Sequence, residues 1–225
     1  MNSPAHQHGR LHELGSAIFL ELWKNGAAVV DLRDAVPFGQ GHLADSIHIK
    51  AKSPDFLDRV LRFTPNEQPM VLIADIHDDA NWAYAELTGH RRVAGYVVGL
   101  GALDPATIKI VRLPALTPEE LFAKTQRAET LHILDVREPA EWQQGSSAGA
   151  RHIPMNNVLQ SVDELPRDKP IAITCAGGQR SSLIASVLLT RGFTNLFNVT
   201  GGMKAWNVAK LPVNTDADSD HIDGT

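Results

Sequence analysis

Residues 171–190 read IAITCAGGQRSSLIASVLLT, and this succession of residue types decides the fold. Ile171, Ala172, Ile173 and Thr174 form a short apolar, β-branched run without polar alternation, the pattern of a strand buried on both faces of a parallel sheet. The run ends at Cys175, the single cysteine of the chain. Ala176, Gly177, Gly178 and Gln179 follow, small and glycine-rich enough for the backbone to curl and turn several N–H groups inward. Leu183, Ile184, Val187 and Leu188 then recur with helical spacing, which predicts a helix beginning near Arg180 with one apolar stripe. A buried strand, a tight turn and a helix in succession form the repeating unit of an α/β fold.

This order has a chemical consequence. A helix N-terminus carries unpaired N–H groups and a partial positive charge, which favour an anion placed there. A thiolate is such an anion. A lone cysteine at a strand end is most simply a small buried hydrophobe. Followed by a Gly-Gly turn and an Arg-Ser-Ser helix start, Cys175 reads instead as a nucleophile.

The loop Cys175, Ala176, Gly177, Gly178, Gln179, Arg180, Ser181 resembles the active-site loop of the rhodanese (sulfurtransferase) family, in the version of its small single-domain members. Further landmarks agree over about 100 residues. Ile133 to Glu138 resembles the family's strand and D-x-R turn. Glu141, Trp142, Gly145 and the run Ala150 to Pro154 resemble the segment after it, and Asn198 to Trp206 resembles its closing strand, Gly-Gly turn and tryptophan helix. One departure is Ser146, where many members carry a histidine after the glycine.

The chain also repeats internally. Asp31, Arg33, Gly41 and His48 set against Asp135, Arg137, Gly145 and His152 at a constant offset, and residues 71–75 set against 171–175 after a four-residue change of register. The expected architecture is therefore α/β with two tandem rhodanese-like domains, each a parallel sheet flanked by helices on both faces. Their expected bounds are 10–106 and 114–213, with the junction near 104–114. Within the first half, residues 11–23 read as a helix, 27–33 as a strand, 46–49 as an extended piece, 54–63 as a helix and 69–74 as a strand. Thr117, Pro118 and Glu120 form a helix-start signal opening the second half. The halves differ chemically. Asp75 stands where Cys175 stands, followed by Ile76, His77, Asp78 and Asp79, so the first domain reads as silent; its carboxylates suit a solvated helix start better than a metal site.

The resemblance implies sulfane-sulfur transfer. Cys175 would take sulfur from thiosulfate or a low-molecular-weight persulfide and pass it to a thiol or cyanide acceptor, a thioredoxin-like or other protein included. Ala176, Gly177, Gly178, Gln179, Arg180 and Ser181 would hold the persulfide, Arg180 would anchor an anionic donor, and Asp135 and Arg137 would hold the loop and take no part in the chemistry, the alternative for them being a mere surface ion pair. No cofactor or metal is implied. Cysteine-dependent phosphatase or arsenate reductase chemistry is the rival on the same fold, but only four residues separate Cys175 from Arg180, a loop short enough to favour one sulfur atom over a phosphate. A non-catalytic protein-binding module is the second rival.

Composition narrows the classes. A net charge of −5 without a basic stripe argues against nucleic acid or an anionic membrane as partner. One cysteine makes no internal disulfide, and no apolar run approaches membrane-spanning length. The first residues lack a signal-peptide pattern, so a cytoplasmic location is expected, with residues 1–9, including His6 and His8, read as a flexible terminus and not a ligand set.

Overall fold

The structure is a computed structural model and describes residues 11–214. The expectation for residues 1–9 lies outside the described residues. In chain order the first half carries α1 (Ser16–Lys24), β1 (Ala28–Asp31), α2 (Ala35–Gln40), β2 (His42–Leu43), β3 (Ile47–His48), α3 (Phe56–Phe63), β4 (Met70–Ala74), α4 (His77–Leu87) and β5 (Val93–Val98). It continues through β6 (Ile110–Val111) and β7 (Ala115–Leu116) into α5 (Pro118–Gln126), β8 (His132–Asp135), α6 (Pro139–Trp142) and β9 (Ala150–His152). The chain then forms β10 (Ile171–Thr174), α7 (Gln179–Thr190), β11 (Leu196–Val199) and α8 (Gly202–Val208).

Two parallel sheets result, ordered β3-β1-β4-β5 and β7-β11-β10-β8-β9. In each sheet the strand leading to the diagnostic loop, β4 or β10, lies inside, paired on both sides. Burial on both faces follows: every residue of β4 and β10 is buried. Their alternate side chains serve opposite layers. Val71 and Ile73 join Phe19 of α1, while Met70, Leu72 and Ala74 face Phe56 and Val60 of α3 with Ala80 and Ala83 of α4. In the second sheet Ile133, Ala172 and Val199 meet Leu121 of α5 and Met203 and Trp206 of α8.

The duplication is repeated atom by atom. Arg33 Nε donates to Asp31 Oδ1 at 2.9 Å and Arg33 Nη2 to the Gly41 carbonyl at 2.8 Å. Arg137 Nε donates to Asp135 Oδ1 at 3.0 Å and Arg137 Nη2 to the Gly145 carbonyl at 2.9 Å. His48 Nε2 and His152 Nε2 meet the Arg33 and Arg137 carbonyls at 2.9 and 2.8 Å. Both Asp–Arg pairs are buried, so Asp135 and Arg137 are not the surface pair that sequence allowed.

Two local expectations change. The helix expected over residues 11–23 begins only at Ser16, because residues 12–14 instead extend the first sheet: Leu14 N–H donates to the Tyr96 carbonyl and Tyr96 N–H to that of His12. This bridge occupies the edge that β7 fills in the second sheet. Within the junction, β6 pairs antiparallel with β2 of the first half. The helix α7 carries no single apolar stripe: Ser181 through Leu188 are all buried. It is sandwiched between its own sheet and the first half, where Ser186 Oγ accepts from the His48 N–H at 3.0 Å. One continuous apolar core therefore joins Leu72 and Val60 of the first half to Ile173, Leu183 and Val187 of the second. The Thr117 start is confirmed as a reciprocal cap, with Glu120 N–H donating to Thr117 Oγ1 and Thr117 N–H to Glu120 Oε2. No helix among the described residues is long and apolar enough to cross a membrane.

Candidate active site

Cys175 follows the last residue of β10 and is 1% exposed. The loop after it is short because Gly178 takes φ +94°, a left-handed turn that reverses the chain directly into α7. That turn aims the Gly178 N–H at Cys175 Sγ, 3.1 Å away. Ser181, one turn into the helix, places Oγ 3.3 Å from the same sulfur. Ser181 Oγ also donates to Asn198 Oδ1 at 2.6 Å, and Asn198 Nδ2 donates to the Gly178 carbonyl at 3.1 Å. A serine has one hydrogen to give. While it goes to Asn198, the thiol is the donor in the sulfur–oxygen contact; for a thiolate the hydroxyl turns to the sulfur instead.

The loop is braced from below by the turn opening α8. Met203 N–H donates to the Cys175 carbonyl at 2.8 Å and Lys204 N–H to the Ala176 carbonyl at 3.0 Å. So close is this approach that a Cβ on Gly202, whose φ is +52°, would lie 2.1 Å from the Cys175 oxygen.

Arg180 does not project freely. Its Nη1 and Nη2 donate to Glu141 Oε2 and Oε1 at 2.6 and 2.7 Å, a two-pronged pair that holds the Glu141 carboxyl below the usual carboxylate range and raises the guanidinium further. Glu141 is itself placed by Arg137, whose Nη1 donates to the Glu141 carbonyl at 2.9 Å. A chain of contacts thus runs Asp135, Arg137, Glu141, Arg180. Gln179 points elsewhere, its amide donating to Asp34 of the first half at 3.0 Å. Ser146, at the position departing from the family pattern, is buried and pairs through its backbone with Asn214.

A profile of the rhodanese-like domain matches residues 117–209. The uncharacterized protein YqhL of Bacillus subtilis is 37% identical over 94 residues, 42% of this chain and 72% of that one. The chain belongs to the rhodanese-like family. A sulfurtransferase of Allochromatium vinosum is 32% identical over 95 residues, 42% of this chain and 89% of that one. The thiosulfate sulfurtransferase GlpE of Vibrio cholerae is 30% identical over 82 residues, 36% of this chain and 77% of that one.

The first of the two rhodanese-like domains has no such site. Asp75 directly follows β4 and is exposed, and partial desolvation pushes its carboxyl up. Asp79 pairs with Lys52, and His77 Nδ1 lies 2.8 Å from the Tyr96 hydroxyl. What this domain does supply is α3, which lies across from the Cys175 loop. A cavity of about 270 Å³ between the domains is lined by Arg59 and Arg62 of α3, Glu138, and Arg180. A larger cavity of about 550 Å³ lies along the same interface, among Trp23, Ile47, Phe63 and Val187, without a nucleophile.

Sequence reasoning passed over Glu141, Asn198 and Gly202 as chemical participants. Asn198 carried a usable signal, being an amide within an otherwise apolar strand, where asparagine is disfavoured. Glu141 carried none beyond a helix-capping position, because its partner is 39 residues away.

Proposed function

We propose that this chain is a sulfurtransferase that carries sulfane sulfur on Cys175. The observation that carries this reading is the Gly178 N–H held 3.1 Å from Cys175 Sγ at the start of α7. A buried sulfur there meets a donor aimed by the fold, and the remaining first-turn N–H groups of α7 lie beyond it, without acceptors of their own inside the helix. The Cys175 thiolate attacks the outer sulfur of thiosulfate; the sulfur–sulfur bond breaks with its electron pair, and sulfite leaves. The resulting persulfide bears its negative charge on the terminal sulfur, where the loop N–H groups from Ala176 to Ser181 stabilise it. A thiol or cyanide acceptor then attacks that sulfur and regenerates Cys175.

Arg180 lines the approach, with its fork fixed by Glu141, and Asp135 and Arg137 serve by holding Glu141 in place. The small space left by the turn from Cys175 to Arg180 supports one sulfur atom over a tetrahedral phosphate. The sulfurtransferase names of the two relatives at 32% and 30% identity support the same reading.

The test is an intact-mass spectrum after thiosulfate treatment, with sulfite release followed in parallel. One added sulfur atom, absent in Cys175→Ser, is the expected result. Sulfite release by Cys175→Ser at the wild-type rate would refute the assignment, and hydrolysis of an aryl phosphate by the wild type would favour the phosphatase alternative.

A further inference from the structure

The two cations beside the Cys175 loop are in different states. Arg180 has its fork filled by Glu141. Arg59, from α3 of the silent domain, is about half-buried, stands within electrostatic range of both Cys175 and Arg180, and has its guanidinium proton affinity lowered by burial. Its Nε is shielded from solvent and has no hydrogen-bond partner, and among the described residues no carboxylate forms an ion pair with it. A planar, partly desolvated guanidinium that lines a cavity, with no carboxylate paired to it among the described residues, is a receptor for a carboxylate or sulfonate.

The same cavity is not simply cationic. Asp55, Asp58 and Glu138 line it together with Arg59, Arg62 and Arg180, three acids against three bases. An inorganic dianion gains from the arginines and is opposed by the carboxylates, whereas a molecule carrying both a carboxylate and an ammonium group meets a partner at each end. A volume of about 270 Å³ suits a ligand smaller than drug size.

We propose that Arg59 binds the carboxylate of an amino-acid-type persulfide donor whose ammonium group faces Asp55, Asp58 and Glu138, so that the silent domain selects zwitterionic sulfur donors over inorganic dianions. This rests on the sulfur-transfer reading of Cys175. In the step concerned, the Cys175 thiolate attacks the outer sulfur of R–S–SH, the S–S bond of the donor breaks with its electron pair going to the inner sulfur, and the departing R–S⁻ takes up the proton. The products are the Cys175 persulfide anion and R–SH. Arg59 touches the donor only at its remote end and is a specificity residue.

The experiment measures formation of the Cys175 persulfide by rapid-quench mass spectrometry on the full chain, with cysteine persulfide, 2-hydroxyethyl persulfide and thiosulfate as donors. Wild type should prefer cysteine persulfide over the uncharged donor by about tenfold or more in kcat/KM, the scale of one charge-assisted contact. Arg59→Met should lower that ratio by about tenfold, mainly through KM, and Arg59→Lys should restore part of it. Asp58→Asn should reduce use of cysteine persulfide while leaving thiosulfate equal or better. Labelling of Cys175 by iodoacetamide, an uncharged reagent, reports whether the loop of each variant is intact. If Arg59→Met leaves the donor ratio unchanged while persulfide still forms, the inference is wrong and sulfur transfer stands. A wild type that uses thiosulfate better than cysteine persulfide also overturns it. If no donor yields a persulfide at Cys175, the sulfur-transfer reading itself fails, and this inference with it.

Discussion

Gly202→Ala would place a methyl group 2.1 Å from the Cys175 carbonyl oxygen and 2.9 Å from the carbonyl carbons of Cys175 and Ala176. Carbon and oxygen come to rest roughly 3.3 Å apart or more, so the loop and α8 must separate by about 1 Å. The substitution also puts a side chain on a residue with φ +52°, a strain of about 1–2 kcal/mol. Stretching the Met203 and Lys204 hydrogen bonds to the loop removes about 1 kcal/mol each. Stability should fall by about 3–4 kcal/mol in all. A displacement of about 1 Å at the nucleophile is enough to lower turnover roughly a hundredfold. Gly201→Ala separates these effects. Its φ is +68°, giving comparable strain, but the added methyl meets the Ala205 methyl at 2.6 Å and leaves Cys175 alone. Thiosulfate turnover and urea midpoints of the two variants decide the matter: both lose stability, and only Gly202→Ala loses most of its activity. Wild-type turnover in Gly202→Ala, or equal losses of activity in the two, would refute the view that α8 positions the nucleophile.

Three further outcomes are expected. Glu141→Gln removes the charge holding Arg180, a pair open enough to solvent that about 1 kcal/mol is the expected loss of stability; the carboxylate's depressed proton affinity means this contribution is present at neutral pH and disappears as pH falls through and below the ordinary carboxylate range, which urea melts of wild type and variant from pH 7 to 3 would show. His48 is fully buried and its pKa is pushed down by that burial to about 4, so its neutral form is built into the fold; stability should decline by on the order of 3 kcal/mol as pH drops from 6.5 toward 4, where the unfolded chain takes up the proton first, and His48→Gln should show a shallower decline over that window. A chain reduced to residues 112–225 exposes the face of α7 that packs against β3 and loses the Ser186 and Gln179 contacts to the first domain, so its thermal midpoint should lie well below that of the full chain; equal midpoints would mean that the shared core contributes nothing to the second domain.

The amino-acid sequence by itself determined the parts whose causes are local. The β-branched run before Cys175, the glycines after it and the helical spacing beyond are each read within a few residues, and the repeated Asp-x-Arg and Gly positions announce a duplication before any strand is paired. The Thr117 cap is legible for the same reason, since both of its hydrogen bonds lie within three residues. Tertiary structure decided what depends on groups far apart in the chain. Whether Arg180 reaches a donor or a carboxylate depended on where α6 carries Glu141, and whether α7 needed one apolar face or all of them depended on a neighbour 138 residues away. The start of α1 shifted because residues 12–14 found an open sheet edge at Tyr96, whose backbone groups must be paired when buried. Arg59 is the clearest instance: in sequence it is one basic residue on an amphipathic helix of a silent domain, and only the packing of that helix across the Cys175 loop makes it a cavity-lining cation without an ion-pair partner among the described residues.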